Sequence, residues 1–255
     1  MKVLLTNGDS WTQGDSPSQV KYLVSDKTLD WYDIIPNFGY SYSGRHSKKV
    51  LYKFYGSDVW PKVLGKKLGV ETWNAGRLGD DNKGIACRTI NSIEYLKSLG
   101  KKDIFVVIGW TTAFRTPVIK WNEQKEQFTM HNVRPHTQGI ENLDFYGRTV
   151  AEFTNDCINH ILFLQYYLEY HNIDYLFFNA FDEITINQTT PHRHLVKYEN
   201  WIDNNANPGH FKEYILKTTG LKDWNENKYF TTWHPRDNAH ILWGEYLYDY
   251  IKKFK

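Results

Sequence analysis

Short apolar runs alternate along this chain with longer stretches in which apolar residues recur every three or four positions. The short runs are rich in Val, Ile, Leu and Phe and end in small polar residues, as buried parallel strands do. Strands are predicted over residues 2–6, 70–74, 103–109 and 173–179. Because the stretches between them have helical spacing, the pattern predicts an α/β sheet with helical connections.

The stretches between the predicted strands also carry helix-end signals. Helices are predicted over residues 58–69, 82–99 and 143–171, and a fourth closes the chain. Ser57 and Asp58 suit a helix beginning, Gly69 suits a helix end, and Pro235 suits the first turn of the last helix. The predicted fold class is a three-layer α/β/α, flavodoxin-like fold with a mostly parallel open sheet.

Three long polar stretches, rich in Trp, Tyr, Asn and His, do not fit the alternation. They are residues 15–56, 112–142 and 181–227. Each follows a predicted strand at its C-terminal end, which is the edge where ligands bind in open α/β sheets. Long loops at that edge are more often functional than decorative. No repeat or break in composition divides the chain, so residues 1–255 are predicted to form a single domain with elaborated loops.

Composition and charge exclude several classes of protein. The chain has 255 residues, 41% hydrophobic and 16% aromatic, which excludes a disordered or coiled-coil protein. Its formal charge of +2 comes without a concentrated basic run, so no nucleic-acid partner is expected. The apolar runs are far shorter than the roughly 18 residues of a membrane span, and the first residues lack the apolar core of a secretory signal. The expectation is a cytoplasmic protein without a membrane partner.

The two cysteines carry no metal-binding signature. Cys87 and Cys157 lie in predicted helices, and neither has a neighbouring Cys or His at a zinc-ligand spacing. Both are expected to be buried thiols, as in a reducing compartment. The sequence predicts no metal and no other cofactor.

The first predicted strand runs directly into Gly8-Asp9-Ser10. This places a hydroxyl on a sharp turn at the ligand edge, where neighbouring backbone N–H groups can point at an anion. An ordinary turn is the alternative interpretation, because these residue types favour turns for conformational reasons alone.

Three further segments follow in the order known from one hydrolase family. They are Asn74-Ala75-Gly76-Arg77-Leu78-Gly79-Asp80-Asp81-Asn82, Gly109-Trp110-Thr111-Thr112 and His234-Pro235-Arg236-Asp237-Asn238-Ala239-His240. With Gly8-Asp9-Ser10, they make the chain resemble the SGNH (GDSL-like) hydrolases over nearly its whole length. The resemblance implies Ser10 as nucleophile and the backbone N–H groups of Ser10 and Gly79 as oxyanion-hole donors. Gly79 is preferred to Gly76 because Gly-x-x-Asn before a helix is similar to the family's Gly-x-Ser-Asn.

Two positions depart from the family pattern. Thr111 stands where the oxyanion-hole Asn is expected, so the third donor is either a hydroxyl or absent. Loss of such a donor costs about a hundredfold or more in rate. Thr231 stands three residues before His234, where the family has an acid. Asp237, Asp182 and a backbone carbonyl are then the candidates for orienting the imidazole.

Two histidines compete for the role of general base. The family's His-Pro-x-x-x-x-His ending implies the first of them, His234. The second, His240, shares an apolar helical stripe with Gly244 and Leu247, which points it at the sheet. His234 is therefore the preferred base and His240 the alternative, and Asp237 is most simply a favourable charge at the beginning of the helix.

The candidate substrate contacts lie within or next to these four segments. They are Asp9, Trp11, Trp110, Arg115 and Trp233. Aromatic rings at the edge of a site suit stacking on sugar faces, although Trp is also a frequent core residue. Arg115 could hold an anionic substrate group or form a surface salt bridge. Asp9, by its position, is better placed to fix the turn than to act on substrate.

The predicted function is a serine ester hydrolase, acting on acyl esters or carbohydrate O-acetyl groups through Ser10 and a His base. The short N-terminal lead, the Gly-Trp-Thr-Thr segment and the Lys-, Asn- and Tyr-rich composition are similar to phage-encoded SGNH-like proteins, which adds association with a virion as an expectation. The alternative is a catalytically inactive protein of the same fold that binds carbohydrate or belongs to a virion. A nucleotide-binding flavodoxin-like protein is disfavoured, because Asp9 stands where a phosphate would sit.

Overall fold

The computed structural model describes residues 2–13, 58–77, 80–113, 115–122, 127–133, 149–180, 191–202, 210–223, 227–231 and 234–254. The strands are β1 (Val3–Asn7), β2 (Glu71–Asn74), β3 (Ile104–Trp110), β4 (Thr116–Asn122), β5 (Gln127–Val133), β6 (Asp174–Asn179), β7 (Phe230–Thr231) and β8 (His234–Pro235). The α-helices are α1 (Ser10–Gln13), α2 (Trp60–Leu68), α3 (Asn82–Ser98), α4 (Val150–Tyr170), α5 (Phe211–Thr219) and α6 (Asp237–Phe254).

A parallel four-stranded sheet lies at the centre of the fold. Its order is β2-β1-β3-β6, and all its pairings are parallel. Every residue of β1 and β3 is buried, which explains why these strands are continuous apolar runs. The prediction of an open parallel sheet is confirmed, and each of its four strands begins and ends within one residue of the predicted range.

The sheet separates two apolar clusters, because successive side chains of a strand point to opposite faces. On one face, Leu5 and Val106 pack with residues of α3 and α4. On the other face, Leu4 and Val107 pack with residues of α2, α5 and α6. The predicted three-layer α/β/α arrangement is therefore confirmed.

The beginning of α2 differs from the prediction. The helix begins at Trp60 after the N-cap residue Val59, and Pro61 occupies its first turn, so Asp58 does not open it. Ser57 lies outside the described residues. Proline suits the first turn because its fixed φ is helical and its missing N–H has no helical partner there. Gly69 ends the helix with a left-handed backbone (φ 67°), as predicted.

Two later helices also begin after their predicted positions. Thr149 caps α4 in a capping box with Glu152, so this helix does not begin at residue 143. Pro235 pairs with Phe230 in the short antiparallel contact of β7 with β8, and α6 begins only at Asp237.

Two of the three polar stretches contain elements that sequence periodicity did not predict. Residues 15–56 lie outside the described part of the chain. Within residues 112–142, β4 and β5 form an antiparallel hairpin. Within residues 181–227 lie α5 and two short 3-10 turns, and Trp201 and His210 form isolated parallel bridges with β6.

The cysteine prediction is half right. Cys157 is buried, but Cys87 is exposed on α3, and both thiols are free. Cys87 lies on the outer face of α3, whereas Ile85, Ala86 and Thr89 turn inward. Burial raises the pKa of the Cys157 thiol far above its ordinary value, which keeps it protonated and unreactive.

Of the helices in the described residues, none combines the length and apolar character that crossing a membrane requires.

Candidate functional site

The turn after β1 is fixed by the side chain of its last residue, Asn7. The Asn7 Oδ1 atom accepts a hydrogen bond from the Gly8 N–H at 2.8 Å. The Asn7 Nδ2 atom donates to the Ile85 carbonyl and the Thr89 hydroxyl, both at 2.9 Å. Since Ile85 and Thr89 belong to α3, these bonds hold the turn against the first half of that helix.

Gly8 and Gly109 lie where a side chain would collide with its neighbours. A Cβ atom at Gly8 would lie 2.2 Å from Thr12 Oγ1 and 2.7 Å from the Gly109 carbonyl oxygen. A Cβ atom at Gly109 would lie 2.8 Å from the Phe178 ring. Both positions therefore need glycine for a close approach.

Ser10 and His234 meet at this edge of the sheet. Ser10 is the first residue of α1 and His234 the first residue of β8, 224 positions later in the chain. The Ser10 Oγ atom lies 3.1 Å from the His234 Nε2 atom. In the tautomer that leaves Nε2 unprotonated, the serine hydroxyl donates to it, which is the geometry an imidazole needs to take a proton from a hydroxyl.

Asp9 lies directly before Ser10 and is completely buried. Its Oδ1 atom accepts from the Trp11 N–H at 3.0 Å. Its Oδ2 atom accepts from Thr111 Oγ1 and from Arg115 Nη1, both at 2.8 Å. The inclusion of Asp9 among the substrate contacts is therefore wrong, because its carboxylate is enclosed and fixes the turn.

Thr111 has no donor left for an oxyanion. Its single hydroxyl proton is donated to Asp9, and its N–H donates to Asn82 Oδ1 at 3.0 Å. Of the two alternatives for this position, a hydroxyl donor or no third donor, these bonds favour the second. Asn82 does not replace it, since its amide nitrogen donates to the Thr111 and Thr112 carbonyls and to Cys157 Sγ.

Arg115 forms a buried ion pair. Its Nη1 atom donates to Asp9 Oδ2 and, at 3.2 Å, to the Asp80 carbonyl, and only 11% of its side chain is exposed. The salt-bridge interpretation of Arg115 is wrong only in its location, because the pair with Asp9 is buried and does not lie on the surface. Contact of Arg115 with an anionic substrate group stays a prediction.

The two described tryptophans among the candidate substrate contacts are core residues. Trp11 is 1% exposed and packs edge-on against Phe211, with ring centroids 5.3 Å apart. Trp110 is completely buried and packs edge-on against Phe177 at the same separation. The expectation that they stack on sugar is wrong, because α5 and β6 cover their rings. Trp233 lies outside the described residues.

The turn after β2 carries the glycines considered for the oxyanion hole. The Gly76 N–H donates to Asn74 Oδ1 at 2.9 Å, so this donor is already engaged. The Arg77 N–H donates to the Gly8 carbonyl at 3.0 Å and joins this turn to the one after β1. Gly79 lies outside the described residues, and its role stays a prediction.

His240, the alternative base, is a core residue. It is completely buried on α6, its Nδ1 atom accepts from the Trp60 N–H at 3.4 Å, and its ring packs against Phe211. Burial lowers the pKa of His240 to about 3, and the charge of nearby His234 acts in the same direction. The alternative is therefore wrong, because His240 is enclosed and bonded to the beginning of α2.

The His240→Asn variant should be less sensitive to acid than the wild type. Below its ordinary pKa of 6.5, His240 binds a proton in the unfolded chain, whereas in the folded protein it stays neutral down to about pH 3. The free energy of unfolding therefore falls as the pH drops through this window, by about 1.4 kcal/mol per pH unit. Asparagine keeps an oxygen acceptor for the Trp60 N–H but does not titrate. Urea unfolding at several pH values between 7 and 4 gives the free energy of unfolding of both proteins. The difference between variant and wild type should grow in favour of the variant by about that slope as the pH falls. An equal pH dependence in the two proteins would contradict a buried, neutral His240.

The candidates for orienting the His234 imidazole stay open. Asp237 is the first residue of α6, where a carboxylate is favoured by the helix dipole. Asp182, the second candidate, lies outside the described residues, and a backbone carbonyl is the third.

A cleft of about 260 Å³ opens between the beginning of α3 and the first half of α4. It is lined by Asp81, Asn82, Lys83, Ala113, Arg115, Asp156, Cys157 and His160. Burial raises the pKa of Asp81 and lowers that of His160, so both tend toward their neutral forms. Within the described ranges, no three His, Cys, Asp or Glu side chains are placed to hold a metal ion.

Comparisons with known proteins give a distant likeness to a solved structure. No protein-family model matches the chain, and no curated protein matches it. Among solved structures, it is similar to the psychrotrophic esterase EstA from Pseudoalteromonas sp., in a form inhibited by monoethylphosphonate. The alignment covers 99% of this chain and 97% of that chain, with a TM-score of 0.46 and 14% sequence identity. A likeness this distant does not assign a function.

Proposed function

We propose that this chain is a serine ester hydrolase in which Ser10 is the nucleophile and His234 the general base. The observation that supports the proposal is the 3.1 Å separation of Ser10 Oγ and His234 Nε2 at the ligand edge of the sheet. A serine hydroxyl is a weak nucleophile at neutral pH, and an imidazole within hydrogen-bond distance is the usual means of activating it.

The reaction proceeds in two acyl-transfer steps. His234 Nε2 takes the hydroxyl proton as Ser10 Oγ attacks the ester carbonyl carbon, and the proton then passes to the leaving alcohol as the carbon–oxygen bond breaks. Water attacks the acyl-serine in the second step, again giving its proton to His234. His234 then gives this proton to Ser10 Oγ as the bond between the acyl carbon and Ser10 Oγ breaks, so the acid leaves and Ser10 is regenerated.

The negative charge on the carbonyl oxygen is held by backbone donors in this proposal. The N–H groups of Ser10 and Gly79 are the proposed pair, since both belong to the turns that follow β1 and β2. Thr111 adds no donor, because its hydroxyl and its N–H are bonded to Asp9 and Asn82. Turnover is therefore expected to be slow compared with sites that have a third donor.

Small acyl esters, and carbohydrate O-acetyl esters in particular, are the proposed substrates. The support is the composition of the three polar stretches, whose Trp, Tyr, Asn and His residues suit a hydroxyl-rich alcohol. A second candidate is a catalytically inactive carbohydrate-binding or virion-associated protein. The commitment of Thr111 to Asp9 favours this candidate, because it leaves the oxyanion without a side-chain donor.

Two measurements on the folded protein test the proposal. Hydrolysis of p-nitrophenyl esters from acetate to octanoate, and of acetylated sugars, should be detectable and fastest for acetate. An alkyl fluorophosphonate should add once to the chain, and peptide mass spectrometry should place the adduct on Ser10. A folded protein that hydrolyses none of these esters and takes up no phosphonate would contradict the proposal. Binding of an acetylated polysaccharide without acetate release would then support the second candidate.

A further inference from the structure

We propose that Arg115 is a positioning residue that fixes the turn carrying Ser10 against the turn that follows β2. The inference rests on the proposed function, since its kinetic consequence requires that Ser10 be the nucleophile. The bridge that Arg115 forms between the turn after β1 and the turn after β2 does not itself depend on ester hydrolysis.

One nitrogen atom of Arg115 bridges the two turns. Arg115 Nη1 donates to Asp9 Oδ2 at 2.8 Å and to the Asp80 carbonyl oxygen at 3.2 Å. Asp9 immediately precedes Ser10, and Asp80 immediately follows Gly79. The guanidinium group therefore sets the separation between the two chain segments that carry the proposed oxyanion donors.

Both anchors of this bridge are themselves held. The Asp9 carboxylate also accepts from the Trp11 N–H and the Thr111 hydroxyl. The Asp80 carboxylate accepts from Arg88, which reaches the carbonyl oxygen of Ala75 with the same nitrogen atom. Because Asp9 and Asp80 are fixed from a second side, the bridge transmits its geometry to the turns.

Burial makes the bridge resistant to exchange with water. The Asp9 side chain is fully buried, and the Arg115 and Asp80 side chains are 11% and 9% exposed. In such surroundings a charge-assisted hydrogen bond is short and strong. Lysine would keep the charge, but its single ammonium lacks the planar guanidinium geometry and is more strongly hydrated. A displacement of about 1 Å at a reacting centre can cost about a hundredfold in rate, so even this conservative change should be visible.

The test compares Arg115→Lys and Arg115→Met with Leu96→Ala on the folded proteins. Leu96 is completely buried near the end of α3, so its truncation weakens the fold without touching either turn. We expect Arg115→Lys to lower kcat for p-nitrophenyl acetate by about 10- to 100-fold, with KM within about threefold of wild type. The amide hydrogens of Trp11 and Thr12, which bond to Asp9, should exchange at least about tenfold faster in both Arg115 variants. Leu96→Ala should change neither kcat nor the ratio of the exchange rates of these two amides to those of β1.

Each outcome decides the inference. An unchanged kcat in Arg115→Lys with faster exchange would overturn the positioning role. A raised KM with unchanged kcat would also overturn it, because that pattern indicates direct contact with substrate in the cleft that Arg115 lines. If the wild type hydrolyses no ester and takes up no phosphonate, the proposed function fails, and exchange alone decides. Faster exchange of Trp11 and Thr12 than in Leu96→Ala would then support the bridge, and equal exchange would overturn it. Arg115→Lys retains a charge beside Asp9 and is the variant to use if Arg115→Met does not fold.

Discussion

Replacing Ser10 by alanine should lower kcat/KM for p-nitrophenyl acetate by about 10³- to 10⁶-fold, the range found when a serine hydrolase loses its nucleophile. The side chain that changes is small, and its hydroxyl lies 3.1 Å from His234 Nε2. Truncation therefore removes the attacking atom with little effect on packing. Initial rates at several substrate concentrations, with circular dichroism to verify folding, give the measurement.

The His234→Ala variant should lose activity to a similar extent, because among the described residues the His234 imidazole is the base within hydrogen-bond distance of the Ser10 hydroxyl. The two losses should not add. Members of one catalytic unit fail together, so the double variant should be about as slow as either single variant. Additive losses would indicate that the two side chains act in separate steps or sites.

Matched controls separate these effects from general damage. Ser98→Ala removes an exposed hydroxyl that donates to the Tyr95 carbonyl at the far end of α3, and should leave the rate unchanged. His171→Ala removes a histidine just after α4 and should do the same. Hydrolysis that survives in Ser10→Ala at the wild-type rate would require a different nucleophile and would overturn the proposed mechanism.

The sheet could be predicted from the sequence because a strand buried on both faces leaves an unmistakable apolar run. In β1 and β3 every residue is buried, and the polar residues that follow mark the ligand edge. The hairpin of β4 and β5 lacks such a signal. In β4, Pro117 and the adjacent apolar pair Val118 and Ile119 interrupt any alternation, and in β5 polar and apolar residues alternate only from Gln127 to His131.

The proximity of Ser10 to His234 was predictable for a different reason. It follows from the order of four sequence segments along the chain and not from hydrophobic periodicity. The sequence predicts that Gly8-Asp9-Ser10 and His234 lie at one edge, and in the structure Ser10 and His234 lie within hydrogen-bond distance. Their catalytic roles remain a proposal.

The interactions around Ser10 were missed for physical reasons. The sequence predicts Trp11 at a site edge because this residue neighbours Ser10, and no helix is predicted over α5, which supplies Phe211 against the Trp11 ring. The pair of Asp9 and Arg115 joins residues 106 positions apart, and a buried ion pair leaves no periodic pattern. The available signal was that both charged residues follow strands ending at the same edge of the sheet.

Replacing Asp9 by alanine should destabilise the fold by about 3–5 kcal/mol, the cost of breaking a buried ion pair from one side. The Arg115 guanidinium would be left 11% exposed without its carboxylate, and the Trp11 N–H and the Thr111 hydroxyl would lose their acceptor. An orphaned buried charge costs more than the net strength of the pair, because it has already lost its hydration. Urea unfolding at pH 7, compared at constant m-value, measures the change.

The origin of this loss can be tested against an exposed pair and a double variant. Lys2 and Asp174 form an ion pair at 3.5 Å, with side chains 43% and 70% exposed, so Asp174→Ala should cost no more than about 1 kcal/mol. Adding Arg115→Met to Asp9→Ala removes the orphaned charge and should restore part of the stability lost in Asp9→Ala alone. The alternative result is a loss in free energy of unfolding in the double variant that equals the sum of the losses in the two single variants. That result would show that the loss does not come from the unpaired charge, and that Asp9 fixes the turn only through its hydrogen bonds to Trp11 and Thr111.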